Sequence, residues 1–141
     1  MWSNRYTLLH PERVQAAAIG HAGSWLAVPV AEHNGVHLNW PLGLANYPAL
    51  VGEPYQKYEI LKSVPMLVFI GDKDSNTYSS RYPTRNDIAV WGDTGPTRLE
   101  NQYNFLKNLG FNVSFKLYPG VEHQYTREMT NDVFDFLTKY K

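Results

Sequence analysis

The chain has 141 residues, with 13 basic and 13 acidic side chains and a formal net charge of zero, so no long-range field draws it to nucleic acid or to an anionic membrane. It contains no cysteine, which excludes disulfides, thiolate nucleophiles and cysteine-ligated zinc together. Apolar residues make up 43% of it, enough for one domain with a core, and no apolar run approaches the length of a membrane span.

In chain order, Trp2 to about His10 predicts a short helix with Trp2, Tyr6 and Leu9 on one side, stopped by Pro11. The small apolar run Val14 to Ile19, ended by Gly20, predicts a buried strand. From 21 to 54 the chain is rich in Pro and Gly, and an irregular stretch of that length predicts a functional loop on the substrate side. Tyr55 to Leu61 predicts a brief helix. Pro65 leads into Met66 to Ile70, closed by Gly71 and apolar on both faces, as a central parallel strand requires. A second irregular stretch, 75–95, is assigned to the same substrate side.

Pro96 and Thr97 open a helix that carries Leu99, Tyr103, Leu106 and Leu109 at helical spacing and stops at Gly110. Phe111, Val113, Phe115 and Leu117 then alternate with polar residues, as in a strand nearer an edge. The last helix, from about Thr126, presents Met129, Val133, Phe136 and Tyr140, with Glu128 in its first turn and Lys139 and Lys141 near its end, matching the helix dipole. Strands separated by helical crossovers predict an α/β fold, a three-layer sandwich around a right-handed parallel sheet, with 1–141 as a single partial domain. Three strands make a thin sheet. Its uncovered inner edge predicts a marginally stable chain prone to self-association.

In an open parallel sheet, function gathers at the C-terminal ends of the strands. Asp74 follows the strand Met66 to Ile70, and His123 follows the next strand through the turn Pro119-Gly120. A carboxylate that orients an imidazole, which in turn deprotonates a hydroxyl, is the working arrangement of serine-type acyl transfer. Histidine suits the task because its ordinary pKa lets it take and return a proton near neutral pH. Asp72, two residues before Asp74, is the alternative acid.

His21, His33, His37, Asp72, Asp74 and His123 suggest a metal site by residue type alone, and their spacing matches no helix-borne pair, so no metal is assigned. No phosphate-binding or dinucleotide-binding glycine pattern occurs, and no cofactor is called for. Arg81, Arg85 and Arg98 stand among Asp87, Asp93 and Glu100, too dispersed for a nucleic-acid face.

The segments "VPMLVFIGDKD" and "YPGVEHQY", with "LLHPERVQAAAIG" before them, resemble the C-terminal part of the α/β-hydrolase superfamily. Within it the chain looks similar to the branch of polyester-depolymerase, feruloyl-esterase and dienelactone-hydrolase type and to prolyl-oligopeptidase-like peptidases. The resemblance implies a serine hydrolase of carboxylic esters, with Asp74 as the acid and His123 as the base. It also implies a serine in a Gly-x-Ser-x-Gly elbow at a strand-to-helix turn. No such pentapeptide occurs in the chain, and the resemblance places the elbow just upstream of Met1.

Ser3, inside the predicted helix, and Ser24, after Gly23, lack the strand, turn and helix that would present a nucleophile. The chain by itself is therefore expected to be inactive. For the longer parent the expectation is a small-molecule ester substrate, a carbohydrate or aryl ester in particular, with Trp25, Trp40, Tyr47, Tyr78 and Trp91 as walls. A serine peptidase and a non-catalytic fragment with an interaction role are the alternatives. Neither nucleic acid nor membrane is expected as a partner. The compartment stays open between cytoplasm and secretion, since "MWSNRYTLLHPERV" lacks a signal peptide's apolar core and a signal further upstream would lie outside the sequence.

Overall fold

A computed structural model describes residues 2–21, 25–75 and 89–141. Three parallel strands form the central sheet: β1 (Ala17–Gly20), β4 (Met66–Gly71) and β5 (Val113–Tyr118), in the order β1-β4-β5. Ala17 lies beside Met66 and Met66 beside Val113, and two residues on Ile19, Val68 and Phe115 repeat the row. Side chains alternate across a sheet, so these rows face one side and the intervening Ala18, Leu67 and Phe69 face the other.

Each face has its own core. Ala17, Ile19, Met66, Val68, Ile70 and Val113 pack with Leu8 of α1 (Trp2–Leu9), Leu61 of α3 (Tyr58–Ser63) and Leu99 and Leu106 of α4 (Gly95–Asn108). On the opposite face Leu67, Phe69 and Tyr118 pack against Met129, Val133 and Phe136 of α5 (Arg127–Thr138). The result is the helix–sheet–helix sandwich expected from the sequence. Among the described residues no helix is long and apolar enough to cross a membrane.

Both long helices start as their sequences dictate. The hydroxyl of Thr94 accepts from the Thr97 amide ahead of α4, and Thr126 does the same for Met129 ahead of α5. Gly110, at φ 85°, provides the left-handed residue beyond α4.

Several expectations are corrected. The first strand begins at Ala17, three residues after Val14, where its amide reaches the carbonyl of Pro65, just ahead of β4, at 2.9 Å and the register with Met66 starts. The third helix is shifted to Tyr58–Ser63. In β5 Leu117 is exposed and Tyr118 is buried, reversing the alternation at its end.

In α1 the buried residues are Asn4, Thr7 and Leu8, while Trp2 and Tyr6 are exposed. The reason is polar. The Asn4 side chain donates to the Ala27 carbonyl at 3.2 Å and accepts from the Ala27 amide at 2.7 Å. Gln102 of α4 does the same for Leu26, donating at 3.0 Å and accepting at 2.7 Å. Two helix amides thus satisfy two consecutive backbone units that run through the interior outside any sheet.

The stretch after β1 is not one open loop. It carries a small hairpin, β2 (Glu32–His33) with β3 (Val36–His37), turned at Asn34 and Gly35, both of positive φ, and the short α2 (Tyr47–Val51). Trp25, Val28, Leu38, Leu42 and Trp91 form a second cluster with Phe105. Trp25, Tyr47 and Trp91, expected as pocket walls, are therefore buried packing residues, and Trp40 packs against the main core. Tyr78 lies outside the described residues, as do Ser24, Arg81, Arg85 and Asp87.

Candidate active site

The three strands deliver three loops to one end of the sheet. β1 ends at Gly20, and His21 follows it, held by its amide to the Phe69 carbonyl at 3.0 Å. β4 ends at Gly71, and Asp74 closes the turn, its amide on the Gly71 carbonyl at 3.2 Å. β5 ends at Tyr118, and His123 lies between it and α5.

The β4 and β5 loops are tied to each other before any functional side chain is considered. The Asp72 amide donates to the Tyr118 carbonyl at 3.0 Å and the Lys73 amide to the Val121 carbonyl at 2.9 Å. The Asp72 carboxylate accepts from the Gly120 amide at 2.7 Å. Gly71 is required at the crossing, because a Cβ there would collide with the Val121 carbonyl. This lacing brings Asp74 against His123: Oδ2 of Asp74 stands 2.9 Å from Nδ1 of His123.

Asp74 is 3% exposed, whereas the His123 side chain keeps 48% of its surface open. A buried carboxylate beneath an accessible imidazole has a definite chemical capacity. An ionised carboxylate only accepts, so a hydrogen bond from His123 to it requires the Nδ1–H tautomer, which leaves Nε2 as the ring's acceptor.

The same Asp74 oxygen has a second imidazole on it. Nδ1 of His21 lies 2.7 Å from Oδ2, the His21 side chain is 5% exposed, and its ring meets that of His123 edge-to-face at 5.2 Å. Tyr125, 5.5 Å from the His21 ring, and Phe69, 6.3 Å from it, complete the surroundings.

The separations of 2.7 and 2.9 Å between ring nitrogens and carboxylate oxygen are hydrogen-bond distances. Of the residues grouped by type in the sequence, His21, Asp74 and His123 come together. Atoms that could coordinate, one from each, all lie within 4.8 Å of one another, so among the described residues they are a group that could by position hold a metal ion. Asp72 serves the loop backbone. His37 pairs with Glu32 at 3.7 Å. His33 stacks on Trp91 at 3.8 Å, and its burial there holds its pKa below the ordinary value. Ser3 lies on α1 and lines a concavity of about 670 Å³ along β1 that shares no residue with this cluster. Beside Asp74 a smaller open cleft of about 480 Å³ runs past Asp72, Ser75, Thr97 and Glu100.

Sequence reading gave His21 no part in the acid–base pair. The signal was present all the same: His21 follows a parallel strand directly, the same position that singled out Asp74 and His123.

A parallel sheet between helix layers, with a polar cluster at the strand C-termini, defines an α/β protein. The chain is similar to the solved structure of poly(aspartic acid) hydrolase-1 from Sphingomonas sp. KT-1, with a TM-score of 0.72 and 17% sequence identity, over 97% of this chain and 50% of that one. It thus spans about half the length of that neighbour. No protein-family model and no curated protein matches it.

Proposed function

We propose that these residues are the acid–base half of a serine hydrolase site of α/β-hydrolase type, with a carboxylic ester as the substrate. The observation that carries the reading is the Asp74–His123 pair, 2.9 Å between Oδ2 and Nδ1, at the ends of adjacent parallel strands. On this reading Asp74 holds His123 as the Nδ1–H tautomer and stabilises the imidazolium that forms. His123 Nε2 takes the proton of a serine hydroxyl as that hydroxyl attacks the ester carbonyl, then returns it to the leaving alkoxide.

The serine belongs to a Gly-x-Ser-x-Gly elbow, a pattern absent from the 141 residues. On this reading a further parallel strand bearing it pairs with β1, which bonds to β4 alone among the described strands. The hydrolase-like fold of the structural neighbour supports the class of reaction. An amide bond, as in a peptidase, uses the same residues.

The test is ester hydrolysis by a polypeptide that joins these residues to a nucleophile elbow. His123→Ala should lower kcat by about 10⁶ and Asp74→Asn by about 10⁴. Wild-type rates in either variant would sink the reading.

One observation favours a second reading, a non-catalytic α/β unit that pairs through its sheet. β1 bonds to β4 alone among the described strands, and an open edge is a template for another chain. This reading expects the 141-residue chain to sediment as a concentration-dependent dimer. A monomer across the accessible concentrations would count against it.

A further inference from the structure

The Asp74–His123 pair leaves the buried side chain of His21, on the same carboxylate oxygen, without a role. His21 is not scenery around the carboxylate. Its Nδ1 is nearer to Asp74 Oδ2 than that of His123 is, 2.7 against 2.9 Å, and it is buried where His123 is open. Its backbone stands at φ 43°, in the left-handed region that residues other than glycine adopt uncommonly. Residues held this way cluster where the surrounding structure fixes a side chain for a task. Its Nε2 is buried and has no hydrogen-bond partner among the described residues, so the ring's one polar contact there is the carboxylate.

We propose that His21 is a positioning residue for the Asp74–His123 pair, a second imidazole whose Nδ1–H fixes the Asp74 carboxylate in the orientation that His123 needs. The inference rests on the reading of that pair as acid and base. A carboxylate oxygen accepts more than one hydrogen bond. With His21 on Oδ2 from the β1 side and His123 from the β5 side, the carboxylate is held between the two neighbours of its own strand. Without His21 it is a buried anion one donor short. It turns toward whatever donor or water replaces the missing one, and the bond that selects the His123 tautomer is lost with the alignment.

The experiment is a pair of two-bond ¹H–¹⁵N correlation spectra of the imidazoles, recorded on the full chain at a pH where both rings are neutral, in the wild type, His21→Asn and His21→Phe. Asn places an amide N–H close to where Nδ1 lies and tolerates positive φ. Phe keeps the ring against Phe69 and Tyr125 but has no donor.

The wild type is expected to show both His21 and His123 as Nδ1–H tautomers. His21→Asn should keep His123 in that form. His21→Phe should shift its Nδ1–H to Nε2–H ratio by about tenfold, the equivalent of one hydrogen bond to a charged group. A packing role predicts the opposite ranking, with Phe harmless and Asn disruptive, and that result overturns the proposal. So does wild-type His21 in the Nε2–H form, a measurement that needs no variant to fold. A wild-type His123 in the Nε2–H form overturns the acid–base reading itself and this inference with it. His123 as Nδ1–H, unchanged in His21→Phe, overturns the role of His21 alone.

Discussion

Asp72 and Asp74 stand two residues apart on one turn and meet different partners. Asp72 accepts from the Gly120 amide and so braces the loop that carries His123, whereas Asp74 faces the two imidazoles. Sequence alone ordered the two acids but left both open, since spacing does not show which carboxylate turns inward. The pairing of Asp74 with His123 was legible because both follow parallel strands. His21 obeyed the same rule and was missed, because a histidine after Gly20 carries no local signature until the strand order β1-β4-β5 sets it beside Asp74. His33 gives a prediction at this scale. Stacked on Trp91, it has a pKa lowered by burial. The unfolded chain therefore binds the proton first, so stability is full above the ordinary histidine range and falls as pH drops through it. Thermal unfolding followed between about pH 7 and 5 should show a falling midpoint, and His33→Phe should flatten that slope. An unchanged slope would remove His33 as its source.

Among the elements, those with strong patterns were readable. The continuous apolar run of β4, buried at every position, and the helical spacing in α4 and α5 located themselves within a residue or two. The ends failed where a tertiary partner decides, as with β1, which starts only where its register with β4 does. α1 failed for a different reason. Its apolar residues Trp2 and Tyr6 suggested an inward stripe, yet Asn4 and Thr7 are the buried ones. No pattern within the helix announces that the backbone of Leu26 and Ala27 will pass beside it needing an amide partner. That need makes Asn4 and Gln102 stability residues. Asn4→Leu or Gln102→Leu should each cost about 1–3 kcal/mol in urea unfolding, because a buried N–H and a buried C=O are left unpaired. A loss under about 0.5 kcal/mol would mean that the interior supplies other partners.

At the scale of the whole molecule, the sheet has two outer strands. β5 ends in a loop laced to that of β4, and β1 leads into His21; each bonds to β4 alone among the described strands. Parallel sheets are buried on both faces and gain from neighbours on both edges. On the proposed reading, the strands beyond β1 bring the nucleophile to the end of the sheet where His123 presents Nε2. The meeting of Asp74 and His123 could not be read from composition, which says nothing of chemistry. It came from the order of the strands and from the residues at their C-terminal ends. The claim is tested most directly by kcat for an aryl acetate, measured on a polypeptide carrying both the elbow and these residues, with Asp74→Asn compared with Asp72→Asn. The account predicts a loss of about 10⁴ for Asp74→Asn and less than about tenfold for Asp72→Asn, whose carboxylate serves the loop backbone. Equal losses, or the larger loss at Asp72, would contradict it.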